Sequence, residues 1–399
     1  MITVDQALAI VLASVEPLGS ESVRIDQALG RVLAEDIVAD CDLPPFDRAR
    51  MDGYALIAAD VVDTPATLSL IGEIPAGQSF EGTVSRGNAV KIFTGAPIPL
   101  GANAVQKVEV TESDGATVTI KERTEPGQFI TPRASEVKSG DTAARKGEAI
   151  GPAVMAVLAS FGYSSVRVAI QPKIAVISTG SELVEVAQKP VGAQIRNSNT
   201  FTIASYASQA GARIETLGIV PDRSEDIVKA LEAAASHDLV ITSGGVSMGD
   251  YDLVKAVLLE MGANVSFDKV SIRPGKPTVF ARRERTYFFG LPGNPVSTSV
   301  TFNVFVRPAI RKMLGAQKTT LPTVTARASC EIRDGSTRRS YLPARAFISD
   351  KQMTAEPLKW GGSSDFVAFM NANGLIVVPE DVHLIPAGSD IELMLLNPF

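Results

Sequence analysis

The sequence predicts a multidomain chain of α/β plus β class, and three observations carry that reading. Its 399 residues, at about 150 per domain, correspond to two or three domains. Across residues 172–315, apolar runs such as KIAVIST, RIETLGIV and DLVITSG alternate with helical stretches, the pattern of a doubly wound parallel sheet covered on both faces. On either side of that block, short runs rich in Val, Ile and Thr are punctuated by Gly and Pro, as in small β modules.

The elements follow in order. Thr3 and Gln6 have capping-box spacing ahead of the stripe Ala7, Leu8, Val11, Leu12 and Val15, which predicts an N-terminal helix. A second short helix is expected over residues 25–33, broken by Gly30; Pro44 and Pro45 then force extended backbone. LSLIGEI, AVKIF and ATVTIKE read as strands of an inserted β module, and a helix returns over 151–161. In the α/β block, helices are expected over 200–211 and 224–235, through Leu253, Val254, Val257 and Leu258, and after Pro295. PTVFAR and TYFFGL add strands. TVTARASCEI, SYLPARAFI, GLIVVPE and DIELMLL read as a final barrel or sandwich. The expected organisation is a helical segment of 1–46 with 134–168, a β module of 47–133, an α/β domain of 169–317 and a β domain of 318–399.

Composition narrows the function. Lys and Arg number 38 against 44 Asp and Glu, so the net charge is −6 and there is no chain-wide basic footprint for nucleic acid or membrane. No apolar run approaches the roughly 18 residues of a membrane span. The N-terminus, with Asp5 and no basic flank, does not read as a secretory signal. Cys41 and Cys330 have no CxxC partner, which points away from zinc and disulfides and toward a cytoplasmic protein. His237 and His383 are the two histidines, so carboxylates, Lys, Arg and backbone amides must carry any chemistry.

Three turns at strand ends are built from small residues: Ser178-Thr179-Gly180-Ser181-Glu182, Ser243-Gly244-Gly245-Val246-Ser247 and Pro292-Gly293-Asn294-Pro295. Glycines let backbone N–H groups approach a ligand, and a following helix N-terminus favours an anion. Three such turns on one sheet edge predict an anion-binding crevice at the carboxyl ends of the strands. None is a Walker loop or a GxGxxG fingerprint. Glu182, Asp222, Asp250 and Asp252 fall near the same edge, where oxygen ligands could hold Mg²⁺; helix capping by Asp222 and Asp250 is the competing reading. Lys269, Arg273 and Lys276 form a positive stretch around a Pro-Gly turn, favouring phosphate or oxyanion binding over a plain solvated surface. Further upstream, Asp52 of MDGYA and Thr94 of FTGAP sit in turns that physics alone does not connect to the crevice.

PPFDRARMDGYAL, KIFTGAPIP, ISTGSEL, TSGGVSMGDYD, IRPGKP and FGLPGNPVS, in this order, resemble the molybdopterin molybdenumtransferase family, the MoeA type, which is similar also to the gephyrin E domain. The resemblance implies a cytoplasmic, Mg²⁺-dependent transferase that inserts molybdate into adenylylated molybdopterin and releases AMP. It further implies a MogA-like α/β core, a homodimer whose helical segment dimerises, and a site shared between the α/β domain of one subunit and the β module of the other. Transient contacts with the molybdopterin adenylyltransferase and with cofactor-accepting enzymes follow from the same likeness.

By motif, the resemblance assigns catalytic roles to Asp52, Thr94, Asp222, Asp252, Lys269 and Arg273, and metal binding to Glu182, Asp222 and Asp252. It assigns substrate contacts to Ser178, Thr179, Gly180, Ser243, Gly244, Gly245, Ser247, Lys276, Pro292, Gly293, Asn294, Pro295 and Ser363 of GGSSDF. Lys276 is assigned to phosphate, and Lys269 with Arg273 to molybdate. Three departures stand out. Thr131 falls where the family has an arginine, with Arg133 and Glu136 nearby; Gln106, Lys107 and Val108 replace an apolar stretch; and Pro343 replaces an arginine, with Arg345 two residues on. The alternatives are a tungsten-inserting paralogue, another pterin- or nucleotide-binding enzyme such as a nicotinamide-nucleotide deamidase, and a peptide-binding scaffold.

Overall fold

A computed structural model describes residues 1–245 and 253–396. The chain divides into two compact units. One comprises Met1–Glu35, Lys146–Gly151 and Ser165–Phe399; the other comprises Asp36–Arg145 and Pro152–Ser164.

The first unit opens with the helix Val4–Ser14, started by the expected capping box: Gln6 N–H donates to Thr3 Oγ1 at 3.2 Å and Thr3 N–H to Gln6 Oε1 at 3.0 Å. Its buried face is Val4, Ala7 and Val11. Residues 25–33 do not form the expected helix. A single 3₁₀ turn, Ile25–Gln27, gives way to Gly30 at φ +79°, whose N–H bonds Ile150 O at 2.8 Å. A left-handed glycine bonded to a partner far along the same chain ends the helix where sequence periodicity would carry it on. Short strands fill much of the rest: Ser20–Arg24 pairs antiparallel with Ser165–Ala169.

A six-stranded sheet follows, in the order Arg213–Val220, Lys173–Thr179, Leu239–Ser243, Thr286–Leu291, Val279–Arg283 and Asn264–Phe267. Alternate residues serve opposite faces. Ile174, Val176, Leu239 and Ile241 pack with Ile203, Ala207 and Val300, while Ala175, Ile177 and Val240 pack with Ile227, Leu231 and Val257. That period-2 split is why the strand runs are apolar throughout. The sheet is mixed, not wholly parallel as expected. Val279–Arg283 runs antiparallel to Thr286–Leu291, because Glu284 and Arg285 form a two-residue hairpin with Glu284 at φ +54°. So short a link cannot make a parallel crossover.

The C-terminal strands close into a five-stranded barrel: Arg339–Ser349, Gln352–Pro357, Thr323–Ala328, Asp390–Leu395 and Gly374–Val378, which pairs back onto Arg339–Ser349. Its interior mixes alanines (Ala326, Ala328, Ala344, Ala346, Ala355) with Ile376, Ile391 and Leu393, a volume suited to a narrow closed sheet. Ile272–Arg273 pairs parallel with the barrel residues Arg339 and Ser340, tying the core to the barrel rim.

The second unit holds the strands Ala104–Lys107, Gly53–Leu56, Asn88–Ile92, Ala66–Ile74, Thr117–Ile120 and Thr111–Ser113, in that sheet order. Gly53 of MDGYA is required there, since a Cβ would lie 1.9 Å from the Gln106 carbonyl oxygen. The expected helix appears as Pro152–Ser160. Among the described residues, no helix is long and apolar enough to cross a membrane.

Candidate functional site

Two neighbourhoods of the first unit collect most of the expected site residues. One is the cluster of turns at the strand ends. Gly244 N–H donates to Leu291 O at 3.0 Å, and a Cβ on Gly244 would stand 2.3 Å from Thr179 O, so the three turns pack backbone to backbone. Gly244 and Gly245 take φ of +95° and +66°, conformations that disfavour a side chain.

The side chains of this cluster are turned inward. Ser178 Oγ bonds Asn197 Oδ1 at 3.0 Å and Thr200 Oγ1 at 2.8 Å, and Asn199 Nδ2 donates to Ser243 Oγ and Gly293 O, both at 2.7 Å. Asn199 bridges the second and third turns, a role for which its position just inside a helix gave no signal. Thr179 Oγ1 and Asn199 Oδ1 are buried without partners, so this lining retains polar capacity.

The first turn does not run into a helix as expected. After Gly180 the chain forms the short strands Leu183–Val184 and Ile195–Arg196, and the helix Asn199–Ala210 starts only later. The helix-dipole argument therefore does not apply to Gly180. Asp222 does not cap the helix that follows it, whose N-cap is Arg223 without a side-chain bond. Instead Asp222 Oδ2 accepts from Ser181 N–H at 3.2 Å, holding the first turn. Glu182 is exposed, its carboxylate folded against Gly180. Ser247, Asp250 and Asp252 lie outside the described residues, and among those described no group of three acidic, His or Cys side chains is placed to hold a metal.

The second neighbourhood is a crevice of about 680 Å³ beside the barrel. Arg273, Lys276, Pro292, Asn294 and Ser363 line it together. Asn294 Nδ2 donates to Ser363 Oγ at 2.8 Å and Val296 N–H to Ser363 O at 3.0 Å, joining the third turn to the GGSSDF loop. Pro295 begins the helix Pro295–Thr301. Gly275 is obligatory in the Pro-Gly turn, with φ +114° and the Thr301 methyl 2.3 Å from where a Cβ would be.

The cations divide by partner. Arg273 is ion-paired to Asp334, whose side chain is only 2% exposed. Arg333 pairs with Glu331 at 2.7 Å. Arg338 Nη1 donates to the Ile272 carbonyl at 3.0 Å. Lys276 is half-buried in the crevice wall. Lys269 is not among the residues lining the crevice; its carbonyl accepts from Ile2 N–H at 3.4 Å. Sequence reasoning missed Asp334, Arg338 and Trp360, all of which line the crevice, because no motif spacing marks residues brought in by a barrel rim.

Asp52 and Thr94 meet in the second unit. Thr94 N–H and Oγ1–H both donate to Asp52 Oδ1 at 2.7 Å, and the backbone N–H first, then the hydroxyl, hold the carboxyl below the usual carboxylate range. Two of the departures are absorbed there. Arg133 bonds Asp42 and Glu136 pairs with Arg48, while Gln106 is 1% exposed with its amide donating to Glu122 O at 3.0 Å. Pro343, by contrast, is a buried barrel residue in the first unit, and Arg345 is exposed.

Known proteins resemble the chain along its length. The family descriptions "MoeA N-terminal region (domain I and II)", "Probable molybdopterin binding domain" and "MoeA C-terminal region (domain IV)" match residues 2–162, 175–312 and 325–396. A molybdopterin molybdenumtransferase of Haemophilus influenzae is 37% identical over 100% of this chain and 99% of its own length. One from Staphylococcus epidermidis is 34% identical over 99% and 95%. The crystal structure of the molybdopterin biosynthesis moeA protein of Pyrococcus horikoshii superposes with a TM-score of 0.85 at 31% identity, covering 99% of this chain and 100% of that one. Motifs, three successive domain matches and full-length relatives agree, and the chain belongs to the molybdopterin molybdenumtransferase family.

Proposed function

We propose that the chain inserts molybdate into adenylylated molybdopterin, with water cleaving the phosphoanhydride to release AMP. The crevice is the observation that carries this reading. In a protein of net charge −6, Lys276 and Arg338 offer positive charge there without an acidic partner among the described residues. Clustered cations between low-dielectric walls concentrate a polyanionic substrate. Arg273 acts through Asp334 in this reading, and Lys269 has no direct role in the crevice.

The carboxylates of Glu182 and Asp222, on turns joined through Ser181, supply the oxygen donors that Mg²⁺ prefers, with Asp252 as the third by motif. Bound there, Mg²⁺ would neutralise phosphate charge. The protein's own groups do the rest: Lys276 and Arg338 hold the anionic groups. Asp52, kept ionised by Thr94, is available to orient a proton-bearing nucleophile.

The reading includes a cytoplasmic homodimer in which the segments 1–46 and 134–168 dimerise and the 47–133 module of one subunit serves the partner's site. It also includes transient exchange with the adenylyltransferase and with acceptor enzymes. Mixing Asp52→Ala chains with Lys276→Ala chains should then give more activity at subsaturating substrate than either homodimer; a mixture no more active than its parents overturns the shared site. The function itself is tested by incubating the protein with adenylylated molybdopterin, molybdate and Mg²⁺ and following AMP release with reconstitution of an apo-molybdoenzyme. Tungstate in place of molybdate forms the second arm. No AMP release with either oxyanion would overturn the reading.

A further inference from the structure

One carboxylate in the crevice does not suit an anion. Asp334 is almost wholly buried and lines the same cavity as Lys276 and Arg338. Its Oδ1 receives Arg273 Nη1 and the Ser336 N–H, the latter at 3.3 Å. Its Oδ2 is buried with no hydrogen-bond partner. The backbone is clamped on both sides: Asp334 N–H donates to His383 O, and Asp334 O meets His383 Nδ1, both at 3.0 Å. The carboxylate is therefore held in place, with one acceptor oxygen unmet. A buried acceptor in that state is costly unless something donates to it. The substrate's diphosphate bridge and molybdate are fully ionised at neutral pH and have no proton to give, and like charge would repel them.

The same crevice has one aromatic residue among its described lining, Trp360, backed by Leu342, Pro357 and Leu358. Trp360 is half-buried and packs against both the core and the barrel interior. An indole wall and a free carboxylate oxygen together suit a flat nitrogen heterocycle carrying an amino group. The ring lies on the apolar surface and its N–H meets the oxygen.

We propose that Asp334 Oδ2 and Trp360 form a ring-recognition subsite for an amino-substituted planar heterocycle of the substrate. The inference rests on the reading above, and it adds specificity residues that the sequence motifs do not mark. Adenylylated molybdopterin contains two such rings, the 2-amino-4-oxo pterin and the adenine, and both present an exocyclic NH₂. Arg273, in ion pair with Asp334, is a positioning residue that holds the carboxylate's orientation.

The test uses the full chain and its single tryptophan as the reporter. Quenching of the tryptophan emission is titrated with two amino/oxo pairs: 6-hydroxymethylpterin against 6-hydroxymethyllumazine, and AMP against IMP. One pair should show about a tenfold or greater loss of affinity when the amino group becomes oxo, since the site's acceptor then faces another acceptor. The pair that responds identifies the ring. Asp334→Asn, which offers an N–H of its own, should abolish or reverse that preference. If Asp334→Asn fails to fold, the amino/oxo comparison on the native chain decides alone. Equal affinities within both pairs, no quenching by any of the four, or a preference that survives Asp334→Asn overturns the inference. AMP release from the full substrate distinguishes the two levels. Normal release without an amino preference sinks only this subsite, whereas an amino preference without AMP release sinks only the molybdenum-insertion reading.

Discussion

The turn cluster and the barrel-side crevice lie in the same unit, yet they use polar groups in contrary ways. In the turn cluster Ser178, Ser243, Asn197 and Asn199 are buried and bonded mainly to one another, and the Gly180, Ser181 and Gly244 N–H groups are spent on Val220, Asp222 and Leu291, so close packing of satisfied groups fills this region. In the crevice the backbone is secondary: Lys276 and Arg338 line open space without an acidic partner among the described residues, and the buried Asp334 Oδ2 in its wall lacks a donor. The first arrangement tolerates no change in shape. The second tolerates shape changes but depends on charge. Substitutions in the first should therefore register as stability, and in the second as affinity.

Gly244→Ala tests the shape-limited side and should have the largest effect. The added Cβ would meet the Thr179 carbonyl at 2.3 Å in a left-handed backbone. Clash and strain together should cost about 3 kcal/mol or more in urea unfolding. A loss below about 1 kcal/mol would show that the turns are not packed as described. Lys276→Ala tests the charge-limited side: affinity for adenylylated molybdopterin, measured by calorimetry, should fall about 10- to 100-fold with stability changed by less than about 0.5 kcal/mol. A comparable loss of stability would erase the distinction between the two regions.

Ser363→Ala sits where they meet. It removes a single bond from Asn294 and should cost about 1 kcal/mol or less, read as a few-fold rise in KM at unchanged kcat. The smallest effect belongs to the second unit. Thr94→Val removes the hydroxyl donor to Asp52 but keeps the backbone one, so the Asp52 pKa should rise toward, without reaching, the ordinary value of about 3.9. Because the native carboxyl is depressed, its charged form persists to lower pH, and in the variant it is lost earlier as pH falls. A carboxyl-carbon NMR titration reads this directly; an unchanged midpoint would leave the bond without electrostatic consequence.

Legibility in the sequence followed the range of the interactions. The capping box at Thr3 and Gln6, the apolar strands of the α/β sheet, and the helices at Asn199–Ala210 and Pro295–Thr301 rest on neighbours a few residues apart, and periodicity displays them. The reading failed where a distant partner overrides local preference. Gly30 donates to Ile150 instead of continuing a helix, and Gly180 feeds short strands instead of a helix N-terminus. The family likeness was likewise legible, because its motifs are contiguous peptides.

By itself, the sequence determined the alternation of strands and helices, the glycines that the tight turns require, and the family, since all are properties of short segments. Tertiary structure alone decided which charges are available. Arg273 and Lys276 are three residues apart and look equivalent in sequence. The pairing of Ile272–Arg273 with the barrel rim brings Arg273 against Asp334, 61 residues further along, while Lys276 is left facing the crevice. Charge neutralisation depends on distance in space between groups that sequence spacing does not relate, and so only the folded chain shows which cation can meet a ligand.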